Sequence, residues 1–247
     1  MHNFTYIDIV AIAWFSGIWL AYIWLADHSP WAKDGISDYV AHYRLNWMRQ
    51  MYKRELRMID TAIIAGLQHG TAFFASSCIF AIGGSFALLG ATDEVLEVVR
   101  TLPVEVQADR GLFEIKILGL VSIYAYAFFK FGWAYRLFNY CSILLGAVPM
   151  PPKEHEEPTE AYLNDAPIIA EQAGQLAITG GRHFNAGLRA IFLSIAYLGW
   201  FVGSIPFIVA SLLIFLVLLR RHFFSQARTI LRPPHYEGSK SVEKNQN

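Results

Sequence analysis

Lys130 and Arg136 are the residues of this chain best placed to do chemistry, because they stand inside a run from Phe113 to Pro149 that is otherwise almost all apolar or aromatic. A cation near the centre of a bilayer costs at least about 2.5–3.5 kcal/mol, so it is held by a partner side chain, by water or by the interface. In one reading the pair lines a cavity that binds or conducts an anion. In the other, Lys130 snorkels to the interface and Arg136 stands among headgroups beside Trp133, Tyr135 and Tyr140, an aromatic belt. His69, in a second apolar run, reads either as a haem ligand or proton relay or as a histidine hydrogen-bonded between helices. A bis-histidine haem needs a second imidazole at matching depth, and His183 reads as lying nearer the interface. We therefore expect no cofactor.

Other chemistry finds less support. His155 stands among Glu154, Glu156 and Glu157 in a polar linker with no second histidine nearby, a solvated charge run and not a metal site. Cys78 and Cys141 lie singly in apolar runs and read as small hydrophobes. No nucleophile–base pattern, phosphate-binding glycine loop or pair of intramembrane carboxylates is apparent, so the expectation is a protein that is not an enzyme. Net charge is zero, with 20 basic and 20 acidic residues, and nothing points to nucleic acid as a partner.

The elements that must position these residues are membrane helices. Tyr6–Ala26, Thr61–Ala91 and Leu188–Leu219 join the Phe113–Pro149 run as blocks long enough to span, and only 16% of the chain is charged against about 25% in soluble domains. No basic residue precedes the first block and no cleavage motif follows it, so it reads as a retained helix. The expected architecture is an all-α polytopic bundle with four principal transmembrane helices, near 6–26, 61–91, 112–135 and 188–219. A fifth crossing would require the third block to split near Lys130-Phe131-Gly132, where turn residues are scarce. Charge asks for that fifth crossing. Lys33 to Arg57 and the tail arginines Arg220, Arg221, Arg228 and Arg232 both favour the cytoplasm, and four crossings put them on opposite sides.

His42–Ile59 reads as a basic amphipathic helix, with Arg44, Arg49, Lys53, Arg54 and Arg57 suited to an anionic membrane surface, or else as a helix packed on its own protein. Residues 150–165 read as a polar linker within one membrane domain, 1–232, and 233–247 as a disordered tail. Asp165 is the expected N-cap of a helix that Gly180-Gly181 ends or hinges, and Pro206 is expected to kink the fourth membrane helix. Lines of small and polar residues, Ser122 to Gly146 in the third block and Gly187 to Ser211 in the fourth, suggest packing faces. Arg182, His183, Asn185 and Arg189 are expected to form a polar collar facing Asn139 and Arg136.

Two stretches carry a resemblance. Phe128-Phe129-Lys130-Phe131-Gly132-Trp133 with Arg136–Leu144, and Gly181–Ala190, resemble the bacterial branch of the domain-of-unknown-function family numbered 599. The resemblance implies a multi-pass protein of a bacterial inner membrane and transfers no catalytic or binding residue. The expected function is a non-enzymatic accessory or scaffold protein, with a homo-oligomeric channel or transporter for an anion as the alternative. Its expected partners are the lipid bilayer and another copy of itself or another membrane protein.

Overall fold

Lipid offers no partner to backbone amides, so a chain this apolar satisfies them within helices. The computed structural model describes residues 5–27, 35–100, 109–223 and 225–232, all helix, turn or loop, and the tail 233–247 lies outside the described residues. In order the helices are α1 (Tyr6–Asp27), α2 (Ile36–Met51), α3 (Met58–Gly90), α4 (Thr92–Arg100), α5 (Arg110–Ala147), α6 (Glu160–Val202), α7 (Ser204–Phe223) and α8 (Gln226–Leu231). Among the described residues, five segments are long and apolar enough to cross a membrane: α1, α3, α5, α6 and the one that begins with α7. The protein is a multi-pass membrane helix bundle.

The fifth candidate span comes from the fourth block and not from the third. α5 is unbroken from the Asp109 cap, whose carboxylate accepts from the Leu112 amide at 2.9 Å, to Ala147. α6 instead ends at Val202, Gly203 is extended, and α7 restarts at Ser204 with Pro206 in its first turn. Proline is tolerated there because first-turn amides have no helical acceptor. The expected kink is thus a full reversal. The corner is tight, since a Cβ on Gly199 would stand 3.1 Å from the Pro206 carbonyl oxygen. Five crossings put the basic α2 region and the Arg220-Arg221-His222 end of α7 on one side and acidic α4 on the other, which removes the charge conflict.

α6 also departs from expectation. It starts five residues before Asp165, where Thr159 Oγ1 accepts from the Tyr162 amide at 3.2 Å, and it runs straight through Gly180-Gly181. Those glycines are places of close approach. A Cβ on Gly180 would lie 2.9 Å from the Phe138 ring, and one on Gly181 would overlap the Arg44 guanidinium.

Contacts at the acidic end set a common level: Trp200 and Ser204 meet Asp8, and Phe113 meets the Phe201 ring at 5.6 Å. A hydrocarbon core of about 30 Å takes about 20 helical residues. Counting that far from Gly90, Leu112 and Val202 reaches Thr71, Phe131 and His183. Phe74, Phe131 and Phe184 are indeed in mutual ring contact, at 5.5, 5.6 and 5.7 Å. The three counts meet at one boundary.

Past that boundary α3, α5 and α6 continue, and α2 packs along α6 to build a helical head. Two cores result. Phe15, Tyr197, Trp200 and Phe207 fill the first, among the spans, and Met48, Met51, Ile64, Cys141, Leu145 and Ala170 fill the second, in the head. The amphipathic segment is therefore shorter than expected, ending at Met51, and its apolar residues Met48 and Met51 are spent on the protein.

Candidate functional site

The sequence-selected cations lie outside both cores. Arg136 is exposed, donates to the Tyr140 hydroxyl at 2.8 Å and lies over the Trp133 ring at 5.9 Å; Lys130 sits 5.3 Å from the Tyr126 ring. These are contacts along one helix surface, with the aromatics of a membrane belt. Asn139 is exposed on the same side, as are Ser122, Phe129, Ile143 and Gly146. The packing line expected on α5 thus faces away from the bundle, and the buried line is Ala127, Phe131, Ala134, Phe138 and Cys141. Large rings there enter gaps left by α6 glycines: a Cβ on Gly187 would stand 2.7 Å from Phe131. His69 is on the exposed side of α3.

The four collar residues divide. His183 lies edge-on to Trp133, its ring centroid 6.4 Å away. Arg189 stacks on Tyr22 of α1 at 5.7 Å and borders a small cavity of about 120 Å³ with Arg221 and His222 of α7. Arg182 and Asn185 border a larger one, about 300 Å³, enclosed by α2, α3, α5 and α6. His183 thus faces the α5 belt through Trp133, the ring that Arg136 also covers, while Arg182, Asn185 and Arg189 border cavities shared with α2 and α7.

The larger cavity is a slot with two kinds of wall. Ile36, Val40, Leu67, Phe138, Ile178 and Phe184 make it apolar, while Ser37, Arg44, Arg182 and Asn185 supply donors; the Thr71 hydroxyl, also in the wall, donates to the Leu67 carbonyl at 2.6 Å. Gly66 and Gly70 of α3 line it, and a Cβ on either would meet nothing within 4 Å, so the slot owes its width to their missing side chains. Arg44 donates Nη1 to the Ala177 carbonyl at 2.7 Å, and Gly181 is what lets the guanidinium lie so close to α6. Burial pushes Arg44 below the ordinary arginine value, offset in part by Cys141, and no carboxylate pairs with it within 4 Å among the described residues.

Two further polar nodes hold the helices. In the head, Asp60 is fully buried and accepts from Trp47 Nε1 at 2.7 Å and from Arg54 Nη1 at 2.8 Å. Arg57 beside it donates to the carbonyls of Leu145, Val148 and Pro149, a cation capping the C-terminus of α5. Burial lowers Arg57 below the usual arginine range, offset by Asp60 and Tyr162. Arg54 and Arg57 are thus tied into the head, as is Arg49 through Glu171 at 3.1 Å, and Lys53 lies 5.8 Å from the Tyr52 ring.

At the acidic end, Asp8 is fully buried and accepts from Trp200 Nε1 at 3.0 Å and from Ser204 Oγ, while Lys116, 3% exposed, places its ammonium 5.3 Å from the Trp200 ring. Sequence reading passed over Lys116 and Asp60. Their signal was present, a formal charge within the first two turns of an apolar helix.

A family model described as a protein of unknown function, DUF599, matches residues 10–227. No curated protein and no solved structure matches the chain.

Proposed function

Because the chain belongs to this family of unknown function, which brings no activity with it, we propose from the geometry alone that it is a non-enzymatic accessory or scaffold protein of a bacterial inner membrane. The observation that carries the reading is the filling of the spanning core. Phe15, Tyr197, Trp200 and Phe207 pack ring against ring at 5.1–5.7 Å, and Phe74, Phe131 and Phe184 close the basic end. Lys130 and Arg136 stand outside this packing. Among the described residues these rings occupy the space between the spans of a single protomer, whereas the head, on the side that the excess of basic residues favours for the cytoplasm, presents a broad surface. Along that surface Ile168, Glu171, Gln172 and Gln175 of α6 border an open groove of about 790 Å³.

The test is ion flux through vesicles reconstituted with purified protein. Leak of chloride, potassium or protons equal to that of protein-free vesicles is expected. Chloride flux that Lys130→Ala or Arg136→Ala abolishes, with the fold retained, would replace the scaffold reading with an anion channel formed between copies.

A further inference from the structure

We propose that the slot between α2 and α3 is a binding site for a phosphate-bearing anion, its phosphate held by Arg44 and Arg182 and any acyl chain laid against Gly66 and Gly70. The inference does not depend on the scaffold reading.

The slot sits at the right depth. Thr71 and His183 mark the boundary to which about 20 residues carry α3 and α6 from the opposite face. Thr71 lines the slot, and Arg182 and Asn185 flank His183. By that count the headgroup phosphates of the leaflet on this side fall at this level. The slot is also of the right chemistry. Arginine presents five N–H donors in a fixed fork that matches phosphate oxygens, and Arg44 commits only one to the protein, at Ala177. Arg182 has no carboxylate within 4 Å among the described residues, and Asn185, Ser37 and Thr71 border the same space. An anion would relieve the cost of holding Arg44 away from water with no ion-pair partner among the described residues.

The opening is what points to lipid. α2 and α3 flank the slot, joined by the Trp47–Asp60 hydrogen bond but with backbones that come close at few points, and its apolar wall of Val40, Leu67 and Phe184 continues onto α3, whose Gly66 and Gly70 leave a shallow track. A free phosphate would use the arginines alone, whereas a diacyl phosphate uses both walls. At about 300 Å³ the slot holds a headgroup and the first carbons of a chain, and the rest would lie along α3 in the bilayer.

The experiment uses the full chain in a neutral detergent. Short-chain phosphatidylglycerol, short-chain phosphatidylcholine and inorganic phosphate are titrated separately, with thermal unfolding and native mass spectrometry as readouts. Phosphatidylglycerol is expected to raise the unfolding midpoint and to stay bound one per protomer, with phosphatidylcholine at least tenfold weaker. If inorganic phosphate does the same at equal concentration, the site stands and the free anion is its ligand. Two variants locate binding. Arg182→Gln removes an exposed charge without touching the packing and should weaken binding about tenfold. Gly70→Leu fills the track where a Cβ meets nothing, and should abolish lipid binding while leaving inorganic phosphate unaffected. Saturable phosphatidylglycerol binding unchanged in both variants, or no discrimination among the three ligands, would overturn the proposal.

Discussion

Gly181 and Arg44 show how one missing methyl group sets the position of a charge. Arg44 reaches the Ala177 carbonyl only because position 181 has no side chain, and the guanidinium then fills the space a Cβ would take. Gly181→Ala should therefore expel Arg44 from the slot. We expect a loss of about 1–3 kcal/mol, the cost of a displaced buried hydrogen bond to a charged group, seen as a lower unfolding midpoint in detergent. The same substitution made on Arg44→Ala should cost far less, because the clash has gone; equal costs in both backgrounds would show that the two residues do not couple. Asp60 makes a separate case. Its carboxylate is buried and takes hydrogen bonds from Trp47 and from the half-exposed Arg54. Asp60→Ala should destabilise by about 1–3 kcal/mol, more than Arg54→Ala does, because the alanine also leaves the half-buried Trp47 indole N–H without its acceptor. The role of Gly181 was not legible in the sequence. Gly180-Gly181 looks like a helix end until Phe138 and Arg44 are brought against it, and both arrive from distant parts of the chain.

At the scale of elements, composition and turn chemistry were informative where they acted locally. Apolar runs located α1, α3 and α5 to within a few residues, and the absence of turn residues correctly kept α5 whole across Lys130 and Gly132. Reading Leu188–Leu219 as one span failed because its reversal uses a single extended residue, Gly203, and a proline that is as much at home in a first turn as in a kink. Charge did record the answer, since Arg220 and Arg221 demanded an odd number of crossings. Reporter fusions at residues 45, 102, 160 and 240 test it: 45, 160 and 240 should report one side and 102 the other. Opposite sides for 160 and 240 would restore a single span from Leu188 to Leu219. Deuterium exchange adds a second check, because an unhinged α6 should protect amides continuously through Gly180 and Gly181.

Over the whole molecule, the two cores share three continuous helices, α3, α5 and α6, while α1 belongs to the membrane core alone. Its attachment at the acidic end is the Asp8 carboxylate, which joins α1 to Trp200 of α6 and Ser204 of α7, with Lys116 of α5 supplying positive charge nearby. The sequence showed Asp8 as one acid near the end of an apolar block; that it gathers four helices depends on the reversal at Gly203, which brings Ser204 to the same level as Trp200. Asp8→Ala leaves a buried indole and hydroxyl without their acceptor and Lys116 without its counter-charge. The expected loss is about 2–4 kcal/mol. Lys116→Met in the same chain should recover part of it, because the orphaned ammonium then becomes an apolar group of similar length, and Asp8→Asn should lose less than the alanine, keeping an acceptor for Trp200. How the loss is distributed tests the architecture. If the shared helices couple the cores, Asp8→Ala will still unfold in one transition at a lower temperature, with Trp47 in the head reporting the same midpoint as the membrane core. Two separated transitions, the head surviving the loss of α1, would mean that α5 and α6 do not transmit stability across the boundary at Phe131 and Phe184, and that the head is a domain in its own right.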